Sequence, residues 1–203
     1  MAEPTSLAAR IDAVLPQTQC TRCGFDGCAP YADALAAATT DLNRCPPGGD
    51  TVVVALAAIT GRAAKPIDAE CGTPGPLLLA LIDEAACIGC TLCIEACPVD
   101  AIIGAQKRMH AILPSLCSGC ELCVAPCPVD CISMVPAPRE WTAADAGAAR
   151  TRHRMRNARV ARAERIANRK AAPSIESAER EKRQAAVAAA LARARARRAA
   201  SHG

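Results

Sequence analysis

The chain has 203 residues, with only one Trp, one Tyr and one Phe, and alanine and cysteine carry much of its 51% hydrophobic content. So few heavy apolar side chains exclude an ordinary large core, because each ordered residue costs roughly 1–2 kcal/mol of backbone entropy. Its formal charge of +4 is split: residues 1–140 carry 8 Lys and Arg against 15 Asp and Glu, and residues 141–203 carry 16 against 5, with all fourteen cysteines in the acidic part.

The N-terminus, MAEPTSLAARIDAVLPQ, shows no basic start followed by an apolar stretch, so no secretory leader is expected. The longest apolar run, Val52 to Ile59, is eight residues, against the roughly 18–20 that span a bilayer. A reducing cytoplasmic setting is therefore expected, where clustered thiolates bind metal more often than they pair.

Cys20, Cys23, Cys28 and Cys45 form the first group, spaced C-x2-C-x4-C-x16-C. That spacing alone fits zinc as well as an iron–sulfur cluster. Phe25 and Tyr31 flank the group and are expected to shield it from water. A helix is expected over Ala29 to Asn43, with Pro30 in its first turn. A second is expected over Asp50 to Arg62, capped by Asp50 and ended by Gly61. A loop rich in Pro and Gly follows from Lys65 to Pro76, and its Cys71 reads as a free thiol.

Short apolar segments at 77–83, 102–104, 109–113 and 132–135 read as strands of a small sheet. Between them stands an internal repeat at an offset of 30 residues: CIGCTLCIEACP over 87–98 and CSGCELCVAPCP over 117–128. The match extends to Gly89 and Gly119, Leu92 and Leu122, Val99-Asp100 and Val129-Asp130, and Ile102 and Ile132. C-x2-C-x2-C-x3-C-P, twice, is the ligand run of a two-cluster iron–sulfur domain, in which the fourth cysteine of each run serves the other cluster. The expected sets are Cys87, Cys90, Cys93 with Cys127, and Cys117, Cys120, Cys123 with Cys97. Gly89 and Gly119 allow tight loops, and Pro98 and Pro128 mark where the chain leaves each cluster. Cys131 reads as a buried, inert thiol near a cluster, and His110, His153 and His202 as surface or strand residues.

Beyond Glu140 the composition changes to 14 arginines and 22 alanines in 63 residues. Thr142 with Asp145 marks a helix start, a helical run reaches Ala172, Pro173-Ser174 breaks it, and a second run extends to about Ala200. This region reads as a solvated helical pair, with docking to an acidic partner or to the chain's own acidic ferredoxin surface, to an anionic membrane, or to nucleic acid as its functional alternatives. It holds no aromatic residue for base stacking beyond Trp141 at its start, so nucleic-acid binding is the lesser reading.

Residues 80–136 resemble a bacterial-type ferredoxin with two [4Fe–4S] clusters. LPQTQCTRCGFDGCAPYADAL (15–35) with NRCPPGGD (43–50) resembles the B subunit of the Rnf/Rsx-type electron transport complex, whose cytoplasmic part joins a one-cluster domain to such a ferredoxin. The similarity runs in order from about residue 8 to 136 and implies that Cys20, Cys23, Cys28 and Cys45 hold a third [4Fe–4S] cluster. Such members begin with a hydrophobic anchor, and only about seven residues precede the similarity here. The expectation is an anchorless form, cytoplasmic or peripheral on the cytoplasmic face of the inner membrane.

The expected architecture is α+β: a helical one-cluster domain over 1–64, a linker over 65–76, a ferredoxin-like domain with short antiparallel strands over 77–138, and a basic helical tail over 139–203. Each cluster with its four thiolates carries about −2, so three turn the formal +4 slightly negative. No nucleotide fingerprint, flavin motif or nucleophile–base set is present. The sequence thus reads as a polyferredoxin without catalytic residues, whose partners are redox proteins, among them subunits of a membrane electron transport complex. The alternative is a nucleic-acid-associated sensing module.

Overall fold

The computed structural model describes residues 6–171 and 175–200. By its internal contacts the chain divides into two units, residues 1–157 and 158–203, and all fourteen cysteines lie in the first. The architecture is α+β, with helical N-terminal and C-terminal regions around short antiparallel strands.

The N-terminal part of the first unit is helical. Helix α1 (Leu7–Val14) is capped by Ser6, whose hydroxyl accepts from Ala9 N at 3.1 Å; the sequence reading placed no helix here. Helix α2 (Cys28–Ala36) is shorter than the expected Ala29 to Asn43. It stops because Ala38 turns left-handed (φ 55°) and Thr39 folds its N–H and hydroxyl back onto Ala34 O. Helix α3 (Gly49–Thr60) ends at Gly61 as expected, but Gly48 takes the cap position and Asp50 lies inside the first turn. There its carboxylate favours the helix N-terminal dipole without capping a backbone N–H. Ile11, Leu15, Tyr31, Leu35, Leu42, Val53 and Leu56 form this part's core.

The ferredoxin-like part has four strands in two antiparallel pairs. β1 (Leu78–Ile82) pairs with β4 (Ile132–Pro136), with Ala80 opposite Met134, and β2 (Ile102–Ile103) pairs with β3 (Ala111–Ile112). The strand entering each cysteine loop thus pairs with the strand leaving the other, so the sequence repeat becomes a structural one. The short helix α4 (Leu92–Ala96) lies within the first loop. Leu79, Ala80, Ile82, Val99, Ala101, Ile102 and Ile132 make a second core together with buried cysteines.

Helix α5 (Ala143–Ala171) opens with the expected capping pair: Thr142 N donates to Asp145 Oδ2 at 2.9 Å and Asp145 N donates to Thr142 Oγ1 at 3.2 Å. The Thr142 hydroxyl, which donates to Asp145 Oδ2 at 2.7 Å, and then the Thr142 N–H hold the Asp145 carboxyl below its ordinary range. The solvated-tail reading is corrected for the first turns of α5, up to Asn157. Ala149 is fully buried in the ferredoxin-like core. Arg152 donates to Val99 O and Leu116 O, each at 3.1 Å, His153 Nδ1 donates to Pro98 O at 2.9 Å, and Arg156 reaches Glu95 O. Just ahead of the helix, Trp141 Nε1 donates to Pro16 O at 2.8 Å. Arginine composition suggests solvation, but a guanidinium satisfies buried carbonyls equally well, and alanine lets the helix come close enough.

In the second unit, the end of α5 and α6 (Ile175–Ala200) present mostly exposed side chains among the described residues. The expected break at Pro173-Ser174 and His202 lie outside the described residues. Among the described residues no helix is long and apolar enough to cross a membrane.

Candidate iron–sulfur sites

The structure gathers the first cysteine group around a small cavity lined by Cys20, Cys23, Cys28 and Cys45 with Thr18, Tyr31 and Pro46. A chain of buried amides shapes it. Gln17 Nε2 donates to Asp12 O (2.7 Å) and Asp12 Oδ1 (2.8 Å), and Gln19 Nε2 donates to Gln17 Oε1 (2.8 Å). Cys28 N then donates to Gln19 Oε1 (2.9 Å). Gln17, Gln19 and Thr21 all have left-handed backbones, with φ of 58°, 56° and 59°. Such a conformation in non-glycine residues is uncommon and persists only where the surroundings enforce it; here the buried amides do so. Tyr31 is buried, donates to Asp41 O at 2.9 Å and lines the cavity, as a shielding residue should; Phe25 stacks tilted on it at 5.5 Å but is only half-buried and does not line the cavity.

The repeat builds two further cavities. One is lined by Cys87, Cys90, Cys93 and Cys127, with Cys131 beside them; the other by Cys97, Cys117, Cys120 and Cys123. Each therefore takes three cysteines from one loop and the fourth from the other. Ala101 N donates to Cys97 Sγ at 3.2 Å and His110 N to Cys87 Sγ at 3.4 Å, so backbone dipoles already point at the sulfurs. Gly89 and Gly119 are left-handed (φ 70° and 68°), and a Cβ on either would run into backbone, of Arg108 and Leu78 respectively. The glycines let each loop close on a neighbouring segment.

The donor sets fit a [4Fe–4S] cluster, which is held by four cysteine thiolates: each cavity has the four expected cysteines around it, with Cys131 as a fifth at the second. Burial pushes several of these thiols up, Cys28 and Cys123 to about 12 and Cys120 to about 11. Thiolate charge at such places requires a compensating cation, which iron supplies.

Several residues at these sites carry no sequence signal. His110 is fully buried, not a surface or plain strand residue, and its Nδ1 lies 3.2 Å from Cys93 Sγ. Cys131 is half-buried rather than buried, lines the Cys87 cavity, and sits 3.6 Å from Cys127 Sγ. Cys71 is a free thiol but a buried one, held in a short turn with Sγ 3.9 Å from Asp68 Oδ2. His153 fits neither reading, since it ties α5 to Pro98.

Comparison with known proteins gives the same chemistry. Residues 80–134 match the "4Fe-4S dicluster domain" family and residues 15–47 the family described as "Putative Fe-S cluster". Among curated relatives, the B subunit of the ion-translocating oxidoreductase complex of Thiobacillus denitrificans is 62% identical over 111 residues, covering 55% of this chain and 59% of the relative. The proteins of the same name from an Azoarcus species and from Alkalilimnicola ehrlichii are each 60% identical, over 134 and 135 residues, covering 66% of this chain and 73% of each relative. No solved structure matches the chain.

Proposed function

The chain belongs to the family formed by the B subunits of ion-translocating oxidoreductase complexes, and on that premise we propose that it relays single electrons through three [4Fe–4S] clusters. Cys20, Cys23, Cys28 and Cys45 hold the first, Cys87, Cys90, Cys93 and Cys127 the second, and Cys117, Cys120, Cys123 and Cys97 the third. The observation that supports this most directly is the gathering of the twelve cysteines around three separate cavities, four to each, with Cys131 as a fifth cysteine at the second. When bound, a [4Fe–4S] cluster accepts and returns one electron, at a potential set by net charge, hydrogen bonds to sulfur and solvent exposure.

The chain's own residues supply those settings. Tyr31, Ile82, Val99 and Ile132 are buried beside the cysteines and exclude water. The N–H groups of Ala101 and His110 soften the charge on Cys97 and Cys87. The acidic excess of residues 1–140 disfavours an added electron, so the potentials are low. Donor and acceptor are redox proteins, among them other subunits of an ion-translocating complex, and the chain docks peripherally at the cytoplasmic face of the membrane. Turnover of any substrate belongs to those partners.

Anaerobically purified protein tests the cofactor content. About twelve iron and twelve sulfide per chain, four of each per cluster, are expected. About eight of each leaves only the ferredoxin pair, and stoichiometric zinc without sulfide contradicts the reading.

A further inference from the structure

We infer that the three sites form a line in which the third, held by Cys97, Cys117, Cys120 and Cys123, is the middle one, and that Thr18–Ser118 and Arg22–Glu121 fix this order. The inference rests on the cluster assignment proposed above and adds to it which sites are neighbours.

Ser118 lies between Cys117 and Cys120 and lines the third cavity; Thr18 lines the first, two residues ahead of Cys20. Ser118 Oγ donates to Thr18 O at 2.9 Å, and both residues are buried. A second link repeats the relationship one step along each loop. Arg22, between Cys20 and Cys23, pairs with Glu121, between Cys120 and Cys123, at 2.8 Å. The two ligand loops therefore face each other through a dry hydrogen bond and a flanking ion pair. The cavity of Cys87, Cys90, Cys93 and Cys127 is closed differently, by Ile82, His110, Val129, Cys131 and Ile132, all from the ferredoxin-like half.

The buried bond sets the geometry, because a hydroxyl and a carbonyl without water must keep each other as partners. The ion pair is half exposed and adds register more than energy. The step this junction serves is the passage of one electron from a reduced site to its oxidised neighbour. No bond is made or broken, and the Ser118 proton stays on its oxygen. Thr18, Ser118, Arg22 and Glu121 are positioning residues, since they hold ligand loops and ligate nothing. Electrons enter or leave at the two ends of the line, the Cys20 set and the Cys87 set, and cross the middle site between them.

The test is electron paramagnetic resonance of the dithionite-reduced holoprotein, where magnetic coupling reports which reduced clusters are adjacent. Cys123→Ala removes the middle cluster, and the signal of the Cys20 set is expected to lose its coupling. Cys93→Ala removes the far cluster and is expected to leave that coupling in place; the opposite pattern overturns the order. A Ser118→Ala, Arg22→Gln double variant removes no ligand. It is expected to keep the full iron content and to weaken the coupling of the Cys20 set severalfold, whereas unchanged coupling overturns the role of the junction. Should either cysteine variant lose all its iron, the double variant still decides. Iron content below that of three clusters in the parent protein counts against the cluster assignment, while full content with a different coupling pattern counts against this inference alone.

Discussion

Arg150 Nε sits 2.9 Å from Asp12 Oδ2, an ion pair that ties helix α5 to helix α1 across 138 residues of sequence. Arg150 Nη2 also donates to Asp12 O at 2.5 Å, and Arg154 adds a weaker contact to Oδ2 at 3.4 Å. Asp12 in turn accepts from Gln17, which leads through Gln19 to the N–H of Cys28. One buried carboxylate thus connects the strap formed by α5 to the loop that carries the first cysteine set.

Asp12→Ala removes the carboxylate shared by Arg150 and the Gln17 amide and leaves each only the Asp12 carbonyl. Losing a buried charged partner of this kind costs about 1–3 kcal/mol. Chemical denaturation should show a loss of at least about 2 kcal/mol, and a double-mutant cycle with Arg150→Ala should give a clear coupling energy. The N-terminal cluster should bleach first.

Truncation separates the two roles of the basic region. Ending the chain after Glu140 removes the Trp141 contact with Pro16 and the α5 contacts with Asp12, Val99 and Leu116, so thermal stability should fall and iron should be lost on gel filtration. Ending it after Arg162 keeps those contacts, and iron content and potentials should match the full chain. That shorter chain should exchange electrons more slowly with an acidic partner at low salt only, because screening above physiological ionic strength acts within about 8 Å.

Gly119→Ala puts a methyl group against Leu78 O at a left-handed position, and Gly89→Ala does the same against Arg108. Each should destabilise by more than about 1 kcal/mol. By the cross-ligated arrangement, Gly119→Ala should lower the occupancy of the site of Cys117, Cys120 and Cys123, and Gly89→Ala that of Cys87, Cys90 and Cys93, as read by visible absorption and iron content.

His110→Ala removes the ring 3.2 Å from Cys93 Sγ. Among the described residues its Nε2 has no partner, so the favoured tautomer carries its proton on Nδ1, facing the sulfur. Losing that donor should lower the potential of the Cys87 set on the order of 60 mV or less, the one-electron equivalent of about 1.4 kcal/mol. Redox titration should show the other two potentials unmoved.

The grouping of the cysteines is legible in the chain because their runs are local: spacing keeps three of each loop together, and the internal repeat anticipates that the fourth lines the other loop's cavity. The strands around them follow from short apolar segments, within two residues of their observed ends. What is not legible depends on distant partners. His110 gains its place only when β3 is laid beside the first loop, and Asp12 looks like any helical acid until Arg150 arrives. The arginines from 150 to 156 show the same limit most plainly, since composition describes a side chain's charge but not whether water or a carbonyl meets it. Helix α1 is a local miss: Ser6 before LAARIDAV is a readable cap, overshadowed by the cysteines that follow.

The central claim, relay of single electrons by three clusters, is tested most directly by counting electrons. Anaerobic coulometric titration of the holoprotein should show about three electrons taken up and returned reversibly per chain, one per [4Fe–4S] cluster, at low potentials and with no loss of iron. Uptake of none, or reduction that destroys the clusters on each cycle, would contradict the account and leave the clusters a structural role.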